Sequence, residues 1–264
     1  MRLFRPVAVV VTVAALAFAC VSGDQKRGTR HFNIIALEDE WQLGAQLSAD
    51  IARRGQLVSD PQSLTYLRGI GERLVRQTRL ANVPWEFHII SSPDVNAFAV
   101  PGGHIYVTTG AIKSMRNASE LAGLVAHVLG HAVDRQSTAA LSNRYGRKHL
   151  GGIAGGSDRP AYDEILAQVL SGGTLMRFTA EDERTADEST AKWLQGAGYD
   201  PSGLVSMIQG LQAQSGNASV QRLLTAHPFA ADAVSTIQAQ ISKLPRKSGL
   251  ITDEPEFQAV KARS

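Results

Sequence analysis

Residues 119–136, SELAGLVAHVLGHAVDRQ, constrain this chain more than any other stretch. His127 and His131 stand four apart, one helical turn on a single face, so both imidazoles can reach the same ion. Leu121, Leu124, Val125 and Leu129 would bury the other faces of that helix. Asn117 and Glu120 are spaced as a capping box at its start. A lone histidine pair of this kind is weak evidence of a metal, because such pairs also arise by chance.

The pattern on either side is mostly helical. Trp41, Leu43, Leu47 and Ile51 recur near helical spacing. A second helix follows Asp60 and Pro61, with Leu64, Leu67, Ile70 and Leu74 on one side. Period-two alternation then appears: Trp85, Phe87 and Ile89 against Glu86 and His88, and Ile105 and Val107 against His104, Tyr106 and Thr108. Pro101-Gly102-Gly103 is a turn between strands. These features predict two or three strands beside the histidine helix. Residues 138–160 are polar and glycine-rich and read as a loop. Helical patterns then return, and the last fifteen or so residues read as a loosely held polar tail.

At 264 residues and 44% hydrophobic composition the chain can bury one good-sized core or two small ones. The net charge is only +3, two of the cations (Arg2 and Arg5) lie in the first few residues, and no basic stripe is present. Nucleic acid is therefore excluded as an expected partner. MRLFRPVAVVVTVAALAFAC reads as an export signal: a positive start, then a short apolar run ending in small residues. The run is too short to span a bilayer. Cys20, the sole cysteine, closes a sequence resembling a bacterial lipobox, although Ala17-x-Ala19 also suits ordinary signal cleavage. Acylation at Cys20 would tie the protein to a membrane that the fold itself does not enter.

A second acidic helix changes the weight of the histidines. In ERTAD, Glu183 and Asp187 are four apart. Two histidines and a downstream glutamate make a three-ligand zinc set, and a nearby aspartate can fix the tautomer of a ligand histidine. A solvated acidic face is the competing reading of the same residues.

In order along the chain, LVSDPQSLTYLRGIGERL, VNAFAVPGGHIYVTTGAI, SELAGLVAHVLGH, ERTAD, AGYDPSG and TAHPF resemble metallopeptidase family 48, the gluzincins that include bacterial periplasmic zinc proteases. The likeness runs from about Glu38 to about Leu244. It implies an α+β, predominantly helical fold with a small, mostly antiparallel sheet next to the active-site helix. It also implies one zinc ion on His127, His131 and Glu183, with Asp187 bonded to a ligand. Asn96, Ala97, Phe98, Gly102 and Gly103 would belong to an edge strand that holds extended substrate, and His227 would lie near the cleft.

The departures carry equal weight. Val128 stands where the family has the glutamate that moves protons. Losing a positioned base typically costs about 10²–10⁴-fold in rate. Glu120, Glu181 and Asp182 are badly placed to substitute. The family's arginines are replaced by Ala180 and Ala233, while Arg177 lies one turn back. His104, where an aromatic is common, reads as a strand-face residue.

The organisation expected is a signal over residues 1–19, a tether over 20–37, a metallopeptidase-like domain over 38–245 and a tail over 246–264. Three functional readings follow. The chain is a pseudoprotease of the bacterial envelope, periplasmic and anchored to the outer membrane, that binds extended or misfolded envelope proteins. Alternatively, it is a zinc endopeptidase of weak or unusual activity in envelope protein quality control. The third reading is a lipid-anchored scaffold without metal.

Overall fold

The computed structural model describes residues 37–54, 57–154, 156–170 and 177–264. The signal, Cys20 and most of the tether lie outside the described residues. In chain order the elements begin with α1 (Leu37–Arg54), α2 (Pro61–Val75), β1 (Glu86–Ile90), β2 (Ala97–Val100) and β3 (His104–Thr108). They continue with α3 (Thr109–Ser114), α4 (Ala118–Val133), α5 (Gln136–Ala154), α6 (Arg159–Leu170), α7 (Ala180–Asp187) and α8 (Thr190–Gly196). The chain closes with α9 (Ser202–Ala213), α10 (Ala218–Ala226), α11 (Ala233–Ser242) and α12 (Pro255–Arg263).

The helix starts follow their local chemistry. Asp60 accepts from Ser63 N at 2.9 Å ahead of Pro61, which has no N–H to lose at that position. Asn117 accepts from Glu120 N at 3.0 Å, and the Glu120 carboxylate in turn accepts from Arg116 N at 2.8 Å. Thr179 and Asp182 form a reciprocal capping box on α7.

The core has two parts. The larger joins one sheet face to α2, α4 and α9 through residues such as Phe87, Ile89, Ile105, Val107, Leu121, Val125, Leu129 and Ile208. The smaller covers the other sheet face, with Leu43, Leu47 and Ile51 of α1 against Phe98, Val100, Tyr106 and Leu166. Helix α4 sits at the centre: its residues are buried all round except Ala132. That enclosure takes both histidines out of solvent.

Three expectations need correction. The sheet is mixed rather than mostly antiparallel. Its order is β1-β3-β2, with β1 parallel to β3 and β2 antiparallel to it. The chain crosses from β1 to the far edge before the β2–β3 hairpin, which turns on Gly102 and Gly103 at φ 81° and 86°. The glycine-rich stretch 138–160 is largely helix, because Ala139, Leu141 and Ile153 of α5 are buried, Leu141 and Ile153 in the smaller core. Packing there overrides glycine's low helix propensity, and Gly156 takes a positive φ of 77° after the helix. The C-terminal stretch is docked: Phe257 and Val260 of α12 are buried, and Tyr66 donates to Glu254 at 2.8 Å.

Candidate metal centre

Four side chains converge between α4, α7 and the end of α10. His127 Nε2 lies 3.2 Å from His131 Nε2 and 3.1 Å from His227 Nδ1. Glu183 Oε2 is 3.4 Å from His127 Nε2, and Glu183 Oε1 is 3.5 Å from His131 Nε2 and 3.2 Å from His227 Nδ1. All four residues are buried. For an ion held by bonds of about 2.0–2.1 Å, a tetrahedron has edges of about 3.4 Å. The four atoms already stand at about that spacing.

The tautomers can be read from the outer partners. His127 Nδ1 faces Asp187 Oδ1 at 2.8 Å, and the carboxylate can only accept. His131 Nδ1 faces Gln136 Oε1 at 2.6 Å. The Gln136 amide is oriented by its own NH₂, which donates to Asp182 O and Thr185 Oγ1 at 3.2 Å each. Both imidazoles therefore carry their proton on Nδ1 and turn an Nε2 lone pair inward. Glu183 adds two buried oxygens with no hydrogen-bond donor. Converging lone pairs beside an orphaned carboxylate are unfavourable alone and suit a cation. The residues present fit a zinc ion, with His227 as a fourth candidate ligand.

Electrostatics around His127 oppose one another. Burial drives its imidazole toward the neutral form, but the Asp187 charge, its hydrogen bond and the Glu183 charge outweigh this. The net effect raises its pKa above the ordinary value of 6.5.

Close helix approach makes this geometry possible. A Cβ on Gly130 would stand 2.5 Å from the carbonyl oxygen of Ala186, so only glycine lets α4 and α7 meet there. Aromatic rings cover the cluster. Phe178 stacks on His131 with centroids 3.8 Å apart, and Phe229 tilts against His127 at 5.1 Å. Gln136, Gly130 and Phe178 were not singled out in the sequence. The HVLGHAVDRQ stretch held the first two, but nothing local marked Gln136 as facing a ligand.

The chain belongs to peptidase family M48. The family profile matches residues 61–241. The β-barrel assembly-enhancing protease of Escherichia coli K12 is 25% identical over 248 residues, which is 90% of this chain and 50% of that protein. That of Yersinia pestis is 26% identical over 212 residues, 76% of this chain and 44% of the relative. The mitochondrial metalloendopeptidase OMA1 of Schizosaccharomyces pombe is 23% identical over 190 residues, 71% of this chain and 56% of the relative. The chain thus spans about half the length of these relatives. M48 peptidases use zinc, and His127, His131, Glu183 and His227 form a group able to hold it.

Val128 is 2% exposed and packs beside a cavity of about 10 Å³ with Ala97, Leu124, Met207, Leu223 and Phe229. Ala233 borders a separate cavity of about 20 Å³ with Glu183 and Asp187. Four neighbouring acids are committed elsewhere: Glu120 to Arg116, Asp134 to Arg79, Glu181 to Arg184 and Asp182 to Thr179. β2 is an edge strand whose residues part company. Ala97 borders the cavity at Val128, whereas Phe98 stacks on Tyr106 of the opposite face at 5.2 Å. Gly102 and Gly103 line a groove of about 250 Å³ with Ala99, Val100, Trp41 and Trp85. Asn96 is buried at the start of β2, where its carbonyl accepts from Thr108 N at 3.0 Å.

Proposed function

We propose that this chain is a family M48 homologue that does not cut. It holds one zinc ion in a closed site and binds extended or misfolded segments of cell-envelope proteins. The observation that carries this reading is position 128. Where proton transfer is needed there is a valine in a small, mostly apolar cavity bordered by His127 and His227; Glu120, Glu181 and Asp182 are hydrogen-bonded elsewhere, and Glu183 faces the histidines as a candidate ligand.

The fourth corner supports the same conclusion. Zinc acts as a Lewis acid where a coordination position stays open, whereas sites closed by four protein ligands are structural. Here His227 Nδ1 lies 3.1 Å from His127 Nε2 and would supply a fourth protein ligand. Asp187 and Gln136 then orient ligands without any proton to move, and Phe178 and Phe229 exclude water. In this reading His127 and His131 of α4, Glu183 of α7 and His227 at the end of α10 would be tied together by a shared ion.

The groove beside β2 is the binding surface in this account. An extended segment would lie along the Ala99–Gly103 backbone and bury apolar side chains against Trp41 and Trp85, in the manner of strand addition. The setting is drawn from the relatives, whose names speak of β-barrel assembly, and from the export-type N-terminus with Cys20 at the lipidation junction. These support a reading in which the protein is periplasmic and anchored to the outer membrane by a lipid on Cys20. Among the described residues, no helix is long and apolar enough to cross a membrane.

The test is binding of a permanently unfolded polypeptide, such as reduced and alkylated lactalbumin, to zinc-loaded protein. Wild type should bind it and leave it intact. Trp41→Ala should weaken binding several-fold with zinc content and melting temperature unchanged. Binding that is indifferent to Trp41→Ala and to a matching Trp85→Ala change would overturn the groove assignment.

A further inference from the structure

The sheet carries a second cluster of metal-ligating side chains, on the face turned away from α4. Glu86 and His88 are two apart on β1, so they share a face. The parallel register sets Glu86 opposite His104 and His88 opposite Tyr106, which brings His104 onto that face as well. Glu86 Oε2 lies 3.3 Å from His88 Nε2 and 3.4 Å from His104 Nδ1. The three ligand atoms are all within 4.8 Å of one another.

Two of those atoms have no other use. His88 Nε2 and His104 Nδ1 are both buried from solvent and make no hydrogen bond. His104 as a whole is only 8% exposed. A buried ring nitrogen left unsatisfied is unfavourable, and a bound cation would relieve it. The rings are also fixed in place. His88 stacks on Tyr106 at 4.7 Å, and the Tyr106 hydroxyl donates to Ser48 of α1 at 3.0 Å. Glu86 stands at the mouth, with its side chain 58% exposed.

We propose that Glu86, His88 and His104 form a second, independent site for a divalent late first-row transition-metal ion, zinc being the probe of choice. Two imidazoles and one carboxylate suit such ions rather than calcium or magnesium, which favour all-oxygen shells. The spacings of 3.3 and 3.4 Å match the edges of a tetrahedron around an ion of this kind. Three protein ligands leave the remaining position open toward solvent, beside the exposed carboxylate. Binding would tie β1 to β3 on the face that α1 covers. It does not rest on the functional reading of the α4 cluster.

The experiment counts zinc on the intact, folded protein by competition with a chromophoric chelator. Wild type should bind two ions, and His131→Ala should remove one of them. Glu86→Gln and His88→Gln should each remove the other, or weaken it at least tenfold, while leaving the first in place. Glu86 is exposed, so Glu86→Gln should fold as wild type, which a thermal melt checks. Loading the second site should raise the melting temperature of His131→Ala but not of the double variant His131→Ala/Glu86→Gln. A single ion lost with His131→Ala and untouched by Glu86→Gln contradicts the proposal. So does a second ion that survives both Glu86→Gln and His88→Gln. Wild type that binds only the ion removed by Glu86→Gln, with nothing lost on His131→Ala, would instead count against the α4 site and leave this proposal standing.

Discussion

Gln136 Oε1 accepts a hydrogen bond from His131 Nδ1 at 2.6 Å, while its NH₂ reaches α7 at Asp182 O and Thr185 Oγ1. One side chain therefore sets the tautomer of a ligand on α4 and ties it to the helix that supplies Glu183. Partners of this kind are commonly worth about 10–100-fold in metal affinity. Gln136→Ala should lower zinc affinity by about that factor, read by chelator competition, with helix content unchanged. Equal affinity in wild type and variant would remove Gln136 from the account.

Gly130 sets how closely α4 and α7 approach. An added Cβ would meet Ala186 O at 2.5 Å and Ala186 C at 3.0 Å, both backbone atoms that cannot turn aside. Gly130→Ala should cost about 1–3 kcal/mol by overpacking and should also weaken zinc binding, since Glu183 rides on the displaced helix. Denaturant melts of metal-free and zinc-loaded protein separate the two effects. A variant as stable as wild type would show that the helices have slack.

Protonation of His127 makes the metal-free protein depend on pH. Its folded pKa is raised above 6.5 because Asp187 and Glu183 outweigh the effect of burial. The stabilisation from that charged imidazole is complete below an unfolded value of about 6.5 and is lost as pH rises through the higher folded value. The melting temperature of chelator-treated wild type should therefore fall over that interval, and Asp187→Asn should flatten the fall. Zinc binding runs the other way, since protons compete for the ligand nitrogens on acidification. A rise in stability of the metal-free protein across the same interval would refute the assignment.

The C-terminal helix is part of the fold. Phe257 is fully buried in the larger core, and Lys261 Nζ donates to the carbonyl of Met115 at 2.6 Å. Phe257→Ala should destabilise the protein by about 3–5 kcal/mol, measured by urea unfolding. A change within the error of the wild-type curve would return residues 255–263 to a loose tail.

The sequence and the structure part company where long-range packing decides. His127, His131, Glu183 and Asp187 were legible because helical spacing and the family blocks place them on facing helices. Strand alternation at Phe87, Ile89, Ile105 and Val107 was equally plain. Residues 138–160 were misread because glycine content speaks for a loop, while Leu141 and Ile153 contribute to a helix only through their contacts with distant elements. The tail was misread in the same way, since Phe257 and Val260 are two apolar residues in a polar stretch. β1 reads the same whether its neighbour is parallel or antiparallel, so sheet order was beyond local pattern. The contact of Gln136 with His131 and the approach of His227 to His127 depend on side chains that meet across 5 and 100 residues of sequence.

In the proposed function the α4 cluster holds metal without cutting. The most direct test is digestion of an unfolded protein such as casein by purified zinc-loaded wild type, with and without chelator, beside His131→Ala. The account predicts no chelator-sensitive cleavage and no difference between wild type and His131→Ala. Cleavage by wild type that chelator abolishes and His131→Ala lacks would contradict it.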